Sequence, residues 1–222
     1  MGKYVKVLVA GPFAAGKTTF VRTVCGGRAL TTEVRLTSGP ERLIKPTTTA
    51  CMDFGRVDLD VDGEPVRAYL FGVPGQRRLA RFAIPALSRG AHALLFLVDS
   101  SSRAAVLRAR IPWQACKGLA PVAVVAANKQ DLPGALPPEA VARILKVPSA
   151  VPLAARDRAS ALSVLRGVVE RALREGHYGR RPCIARWGGL GAPGEPDGLP
   201  ERHYREPCAV LPSGNNYWSR LK

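Results

Sequence analysis

The chain has 222 residues, 46% of them hydrophobic and 23% charged, with a formal net charge of +16. That length suffices for one well-buried domain with extensions, and the longest apolar runs, AHALLFLVD and PVAVVAAN, fall well short of the ~20 residues a membrane-spanning helix needs. Five cysteines without a C-x-x-C pair argue against a disulfide framework or a zinc site, and 6% aromatic residues give the basic side chains little of the stacking surface that RNA-binding modules use.

In chain order, YVKVLVAG reads as a strand ending in a Gly-rich turn and GKTTFVRTVC as the start of a helix. Residues 26–49, rich in Gly, Pro, Thr and Ser, read as a loop. ACMDFGRVDLDVDGEPVRAYLFG is a hairpin turning at Asp62-Gly63. RRLARFAIPALSRG is helical, with Pro85 expected to kink or break it. AHALLFLVDSS is a strand, RAAVLRARIPWQACKG holds a short helix, and PVAVVAANKQD is another strand. PPEAVARILKV begins a helix behind its prolines, AVPLAA is a last short strand, and SALSVLRGVVERALRE is a last amphipathic helix. This alternation predicts an α/β domain over residues 1–175. Its sheet is six-stranded and mostly parallel, with one antiparallel strand and helices on both faces. Ligands of such sheets bind beyond the C-terminal strand ends.

Residues 176–222 are crowded with Gly and Pro and read as a disordered or loosely docked tail. Its Trp187, Tyr204, Tyr217 and Trp218 are docking anchors or part of a plain appendage. The positive charge, mostly scattered Arg, fits an anionic membrane surface bound peripherally, an acidic partner, nucleic acid, or a simple bias toward Arg. No signal-peptide layout opens the chain, so a cytoplasmic protein is expected. Cys25, Cys51 and Cys116 are expected to be small buried or half-buried residues of a reduced protein.

Gly11-Pro12-Phe13-Ala14-Ala15-Gly16-Lys17-Thr18 fits G-x-x-x-x-G-K-[ST] between a strand and a helix. Main-chain N–H groups from Ala14 through Ala15, Gly16, Lys17, Thr18 and Thr19 converge on phosphates at a helix N-terminus, behind the turn at Gly11. Lys17 supplies a point charge to the β,γ oxygens and the Thr18 hydroxyl ligates Mg²⁺. Asn128-Lys129-Gln130-Asp131 leaves a buried strand. A carboxylate at Asp131 accepts two hydrogen bonds from the donor–donor edge of guanine, which adenine lacks. The Lys129 stem lies along the base, and Asn128 ties this loop to the phosphate loop.

With these motifs, GPFAAGKTTF, TTTACMDFGRV, LFGVPGQ and NKQDLPGAL resemble small Ras-like GTPases over roughly residues 4 to 175. AAGKTT and NKQDLPGAL are similar to the Arf branch; TTTACMDFGR and LFGVPGQ resemble the prokaryotic polarity- and conservon-associated group. The resemblance implies a Ras-like P-loop fold, bound GTP or GDP with Mg²⁺, and a regulatory partner of roadblock fold. It also implies that Gly75 donates its N–H to the γ-phosphate and that Gln76 orients the attacking water. Ala155, in Ala154-Ala155-Arg156, offers its N–H to the guanine carbonyl without the usual Ser support. Switch I offers Thr49 as a Mg²⁺ ligand, with Thr48 as the alternative.

The sequence departs from the pattern where D-x-x-G should carry its Asp, because that residue is Gly72. A two-residue turn at Asp62-Gly63 sets Asp58 opposite Arg67, Phe54 opposite Phe71, and Asp53 opposite Gly72. Asp53 either holds the Mg²⁺-bound water in place of the missing carboxylate or is a hydrogen-bonded strand residue. Phe13 either crowds the γ-phosphate or packs on a switch. Among Arg35, Arg42, Arg77 and Arg78, any could neutralise a transition state, so slow intrinsic hydrolysis is expected. The rival expectation is a guanine-nucleotide-dependent scaffold that scarcely hydrolyses.

Overall fold

The computed structural model describes residues 2–35, 47–75 and 77–180. Its elements in chain order are β1 (Lys3–Ala10), α1 (Lys17–Cys25), β2 (Leu30–Arg35), β3 (Thr47–Val61), β4 (Glu64–Gly72), α2 (Arg77–Leu87) and β5 (Ala93–Asp99). They continue with α3 (Arg103–Arg108), α4 (Arg110–Cys116), β6 (Val122–Asn128), α5 (Pro138–Leu145), β7 (Val151–Leu153), α6 (Arg158–Arg174) and β8 (Gly179–Arg180).

One sheet runs in the order β2-β3-β4-β1-β5-β6-β7, with β8 also pairing β1. From β4 to β7 the strands are parallel. The pairs β2–β3, β3–β4 and β1–β8 are antiparallel. The apolar character of ALLFLVD explains the central position of β5, since a parallel strand covered on both faces needs no polar side. On one face Val5, Val7 and Val9 meet Phe20 and Val21 of α1 and Leu165 and Val169 of α6 in a single buried cluster. On the other face Phe96 of β5 sits edge-on to Trp113 of α4, ring centroids 5.3 Å apart.

The six expected strands are β1, β3, β4, β5, β6 and β7, and the fold is the mostly parallel α/β sheet that the alternation implied. Two strands are additional. β2 lies in the stretch expected to be a loop; composition averaged over residues 26–49 hid a six-residue strand that β3 completes by edge pairing. β8 is only two residues long, too short to carry a periodic signal. Pro85 does not end α2, which continues to Leu87. The stretch expected to hold one short helix holds two, α3 and α4, meeting at Ala109. The expected C-terminal tail lies, beyond Arg180, outside the described residues.

The hairpin register is the one expected from its turn. Asp62 and Gly63 have φ of 53° and 78°, as a two-residue turn matching the strand twist requires. Asp58 receives hydrogen bonds from Arg67 at 2.5 and 3.0 Å, Phe54 pairs with Phe71, and Asp53 pairs with Gly72.

Cys25 and Cys116 are free and buried, as expected, and desolvation pushes the Cys116 thiol up to about 11. The close approach of α1 to β3 runs through Cys25, whose Sγ would lie 2.3 Å from a Cβ added at Gly55. Gly55→Ala is therefore expected to overpack this seam by about 1–3 kcal/mol. The midpoint of thermal unfolding should fall by roughly 3–8 °C; an unchanged midpoint would show that the helix shifts freely there.

Candidate functional site

Beyond the C-terminal ends of β1 and β6 lies a cleft of about 290 Å³, within reach of small-ligand sites in size. The first loop, the start of α1 and the stretch after β4 contribute Ala14, Gly16, Lys17, Thr18, Thr19 and Gly75; the second side contributes Asn128, Lys129, Asp131 and Ala155. Phe13, Leu132 and Arg156 complete the lining.

The first loop is held in a left-handed backbone conformation at Ala14 (φ 61°) and Gly16 (φ 96°). At Gly16 a side chain is impossible for a second reason, since its Cβ would lie 2.2 Å from Asn128 Nδ2. Lys17, 8% exposed, donates to the carbonyls of Gly11 at 2.9 Å and Pro12 at 2.7 Å. Gly11 and Ala15 do not line the cleft but serve through their carbonyls. Ala15 O accepts from Asn128 Nδ2 at 2.8 Å, which is the expected tie between the two loops. Gly75 approaches so closely that a Cβ there would meet Lys17 Nζ at 2.8 Å and Phe13 Cα at 2.9 Å.

Thr18 Oγ1 donates to Asp53 Oδ2 at 2.8 Å, joining the first turn of α1 to β3. Asp53 is 2% exposed. A Cβ at Gly72 would stand 2.9 Å from Asp53 Cβ and 3.1 Å from its Oδ2. The loss of a side chain at position 72 and the presence of a carboxylate at position 53 are one steric fact. Gln76 lies outside the described residues. Thr49 sits opposite Glu33 by its backbone; its side chain, like the segment that holds Arg42, lies outside what is described.

On the second side, Asn128 is 2% exposed and also accepts at Oδ1 from Ala155 N at 2.9 Å. The Ala155 N–H expected to face a base carbonyl is thus bonded to Asn128, and a base would have to share or displace that bond. Lys129 adopts φ 73° and its Nζ donates to Asp99 Oδ2 at 2.6 Å. Burial alone would raise the Asp99 carboxyl, but hydrogen bonds from Lys129 and Ser101 outweigh it and hold the group below the ordinary carboxylate range. Asp99, Leu132 and Arg156 were not singled out from the sequence. Asp99 ends an apolar strand, and only its pairing with Asn128 across the parallel ladder brings it to Lys129.

Among the described residues there is no group of three or more His, Cys, Asp or Glu side chains able to hold a metal, and no helix is long and apolar enough to cross a membrane. No protein-family model matches the sequence. The mouse (Mus musculus) Ras-related protein Rab-33A is 26% identical over 131 residues, which cover 57% of this chain and 50% of the mouse protein. The chain therefore matches half the length of that relative. This similarity and the strand–loop–helix frame agree on a Ras-like P-loop α/β fold.

Proposed function

We propose that the protein is a guanine-nucleotide-binding switch that hydrolyses GTP to GDP slowly and selects partner proteins by the state of its switch segments. The observation that carries this reading is that a single cleft is lined both by the Gly16–Thr19 turn into α1 and by the Asn128–Lys129–Asp131 loop. In this reading the Lys17 ammonium leaves the carbonyls of Gly11 and Pro12 for the β- and γ-phosphates, whose negative charge outcompetes two neutral acceptors. The N–H groups of the loop and the α1 N-terminus bind the diphosphate, while Asp131 accepts from the guanine edge.

Mg²⁺ fits the donor set at the phosphate end, since the Thr18 hydroxyl and the Asp53 carboxylate are hard oxygen donors already in contact. Thr18 and Thr49 would hold the ion, with Asp53 acting through water. When bound, it would neutralise phosphate charge. Gln76 would orient the attacking water rather than act as a base. The low intrinsic rate and acceleration by a partner belong to this reading, with Arg35, Arg42, Arg77 and Arg78 as the candidates for neutralising the transition state. The sequence resemblance to the prokaryotic Ras-like group supports a regulatory partner of roadblock fold, and a cytoplasmic location is part of the same proposal. The scaffold reading draws on Phe13, which lines the cleft, and on Gly72, which stands where D-x-x-G carries its Asp.

The test is the nucleotide affinity of the purified chain for GDP, GTP, ADP and ATP, each with and without Mg²⁺. Guanine nucleotides are expected to bind at least about 100-fold tighter than adenine nucleotides, and more tightly with the metal. Equal uptake of both purines, or of neither, would overturn the reading. Single-turnover hydrolysis with and without cell extract separates switch from scaffold.

A further inference from the structure

Asp99, which ends β5, and Ser100, which follows it, hold the 128–130 loop. Ser100 donates to Asn128 O from its N at 3.0 Å and from its Oγ at 2.5 Å. The same Oγ accepts from Gln130 Nε2 at 2.8 Å. Asp99 holds Lys129 Nζ at 2.6 Å through Oδ2, while its Oδ1 accepts from Ser101 N at 3.0 Å and Ser101 Oγ at 2.6 Å. Both Asp99 oxygens are therefore used, and the carboxylate cannot swing without losing a bond. Asp99 is absent from the cleft lining, whereas Lys129 belongs to it.

We propose that Asp99 is a positioning residue for purine binding: it pins the Lys129 ammonium so that the lysine stem lies ready as one wall of the base site before a nucleotide arrives. The inference deepens the guanine-nucleotide reading and rests on it. Its physical basis is entropic. A lysine stem has four rotatable bonds and a backbone here in the left-handed region, which disfavours non-glycine residues. An unpaired Lys129 would sample many rotamers and would have to be ordered by each incoming base. With its side chain 30% exposed and that of Asp99 15% exposed, the pair is shielded enough to persist. Because the contact to the base is made by the aliphatic stem, Asp99 governs how long a purine stays. The choice between guanine and adenine belongs to Asp131.

Dissociation of a fluorescent GDP analogue from the full chain tests this. Asp99→Ala is expected to speed release about tenfold, the scale of one charge-assisted hydrogen bond in a half-shielded site. Asp99→Asn keeps an oxygen for Ser101 and guards against a folding defect; it should speed release about threefold. The GDP-to-ADP affinity ratio should remain within about twofold of wild type in both. In a Lys129→Ala background, Asp99→Ala should add less than about twofold, because the group it holds is gone. A purely structural Asp99 would instead give effects that multiply, which overturns the proposal, as would wild-type release rates in both Asp99 variants. A wild-type chain that fails to retain GDP defeats the nucleotide reading itself. Retention by wild type with no effect of Asp99 defeats this inference alone.

Discussion

Asp131→Asn should lower GDP affinity about 10³-fold while ADP binding stays weak. The carboxylate can accept from both N1–H and N2–H₂ of guanine; an amide turns one acceptor into a donor and sets an N–H against an N–H. Xanthine carries a carbonyl where guanine carries its amino group, so the same variant should gain affinity for xanthosine diphosphate. Titration calorimetry with the two diphosphates reads both changes. GDP affinity within threefold of wild type would remove Asp131 from the base site. The substitution should leave the fold intact, because Asp131 is exposed and lines the cleft.

Gly72→Asp, which restores the D-x-x-G pattern, is expected to damage the protein. The new Cβ would lie 2.9 Å from Asp53 Cβ and 3.1 Å from Asp53 Oδ2, so two carboxylates would compete for one buried space. Overpacking and a second buried negative charge together cost about 4–6 kcal/mol, enough to lower the unfolding midpoint by roughly 10 °C or more. Asp53→Ala alone should weaken the Mg²⁺ dependence of nucleotide affinity, because it removes the carboxylate that Thr18 contacts. The double variant Asp53→Ala/Gly72→Asp removes the competing carboxylate but keeps the Cβ at position 53, so it should recover Mg²⁺ dependence and only the electrostatic part of the lost stability, the carboxylate having moved across one strand pair. Thermal unfolding and Mg²⁺ titration of the four proteins read this cycle. A Gly72→Asp protein as stable as wild type, with an Asp53→Ala protein that keeps its metal dependence, would refute the exchange.

Short-range chemistry makes much of the site legible in the sequence alone. The 11–18 loop needs contiguous residues with left-handed backbone at set places, and the 128–131 loop is four residues long, so both are written locally. Hairpin register was also local: a two-residue turn at Asp62-Gly63 counts residues outward, and side-chain alternation carries the count to Asp53 and Gly72. The same logic failed where pairing with a distant partner decides the structure. Leu30–Arg35 is a strand because β3 lies alongside it, and Pro85 stays in α2 although local rules set it as a break. Asp99 had no local signal, since its role depends on β5 and β6 being adjacent and in register.

What the sequence by itself determined is the set of chemical groups and their local backbone: a cradle of amides, an ammonium, a hydroxyl, and a carboxylate suited to a donor–donor edge. Tertiary structure alone decided which of them face one cleft, that Thr18 and Asp53 touch, and that Lys129 is held by Asp99. The reason is physical. Local conformation follows from sterics within a few residues, whereas hydrogen bonds between groups 30 or more positions apart, such as Lys129 with Asp99 and Thr18 with Asp53, exist only once strand order and register bring their backbones together.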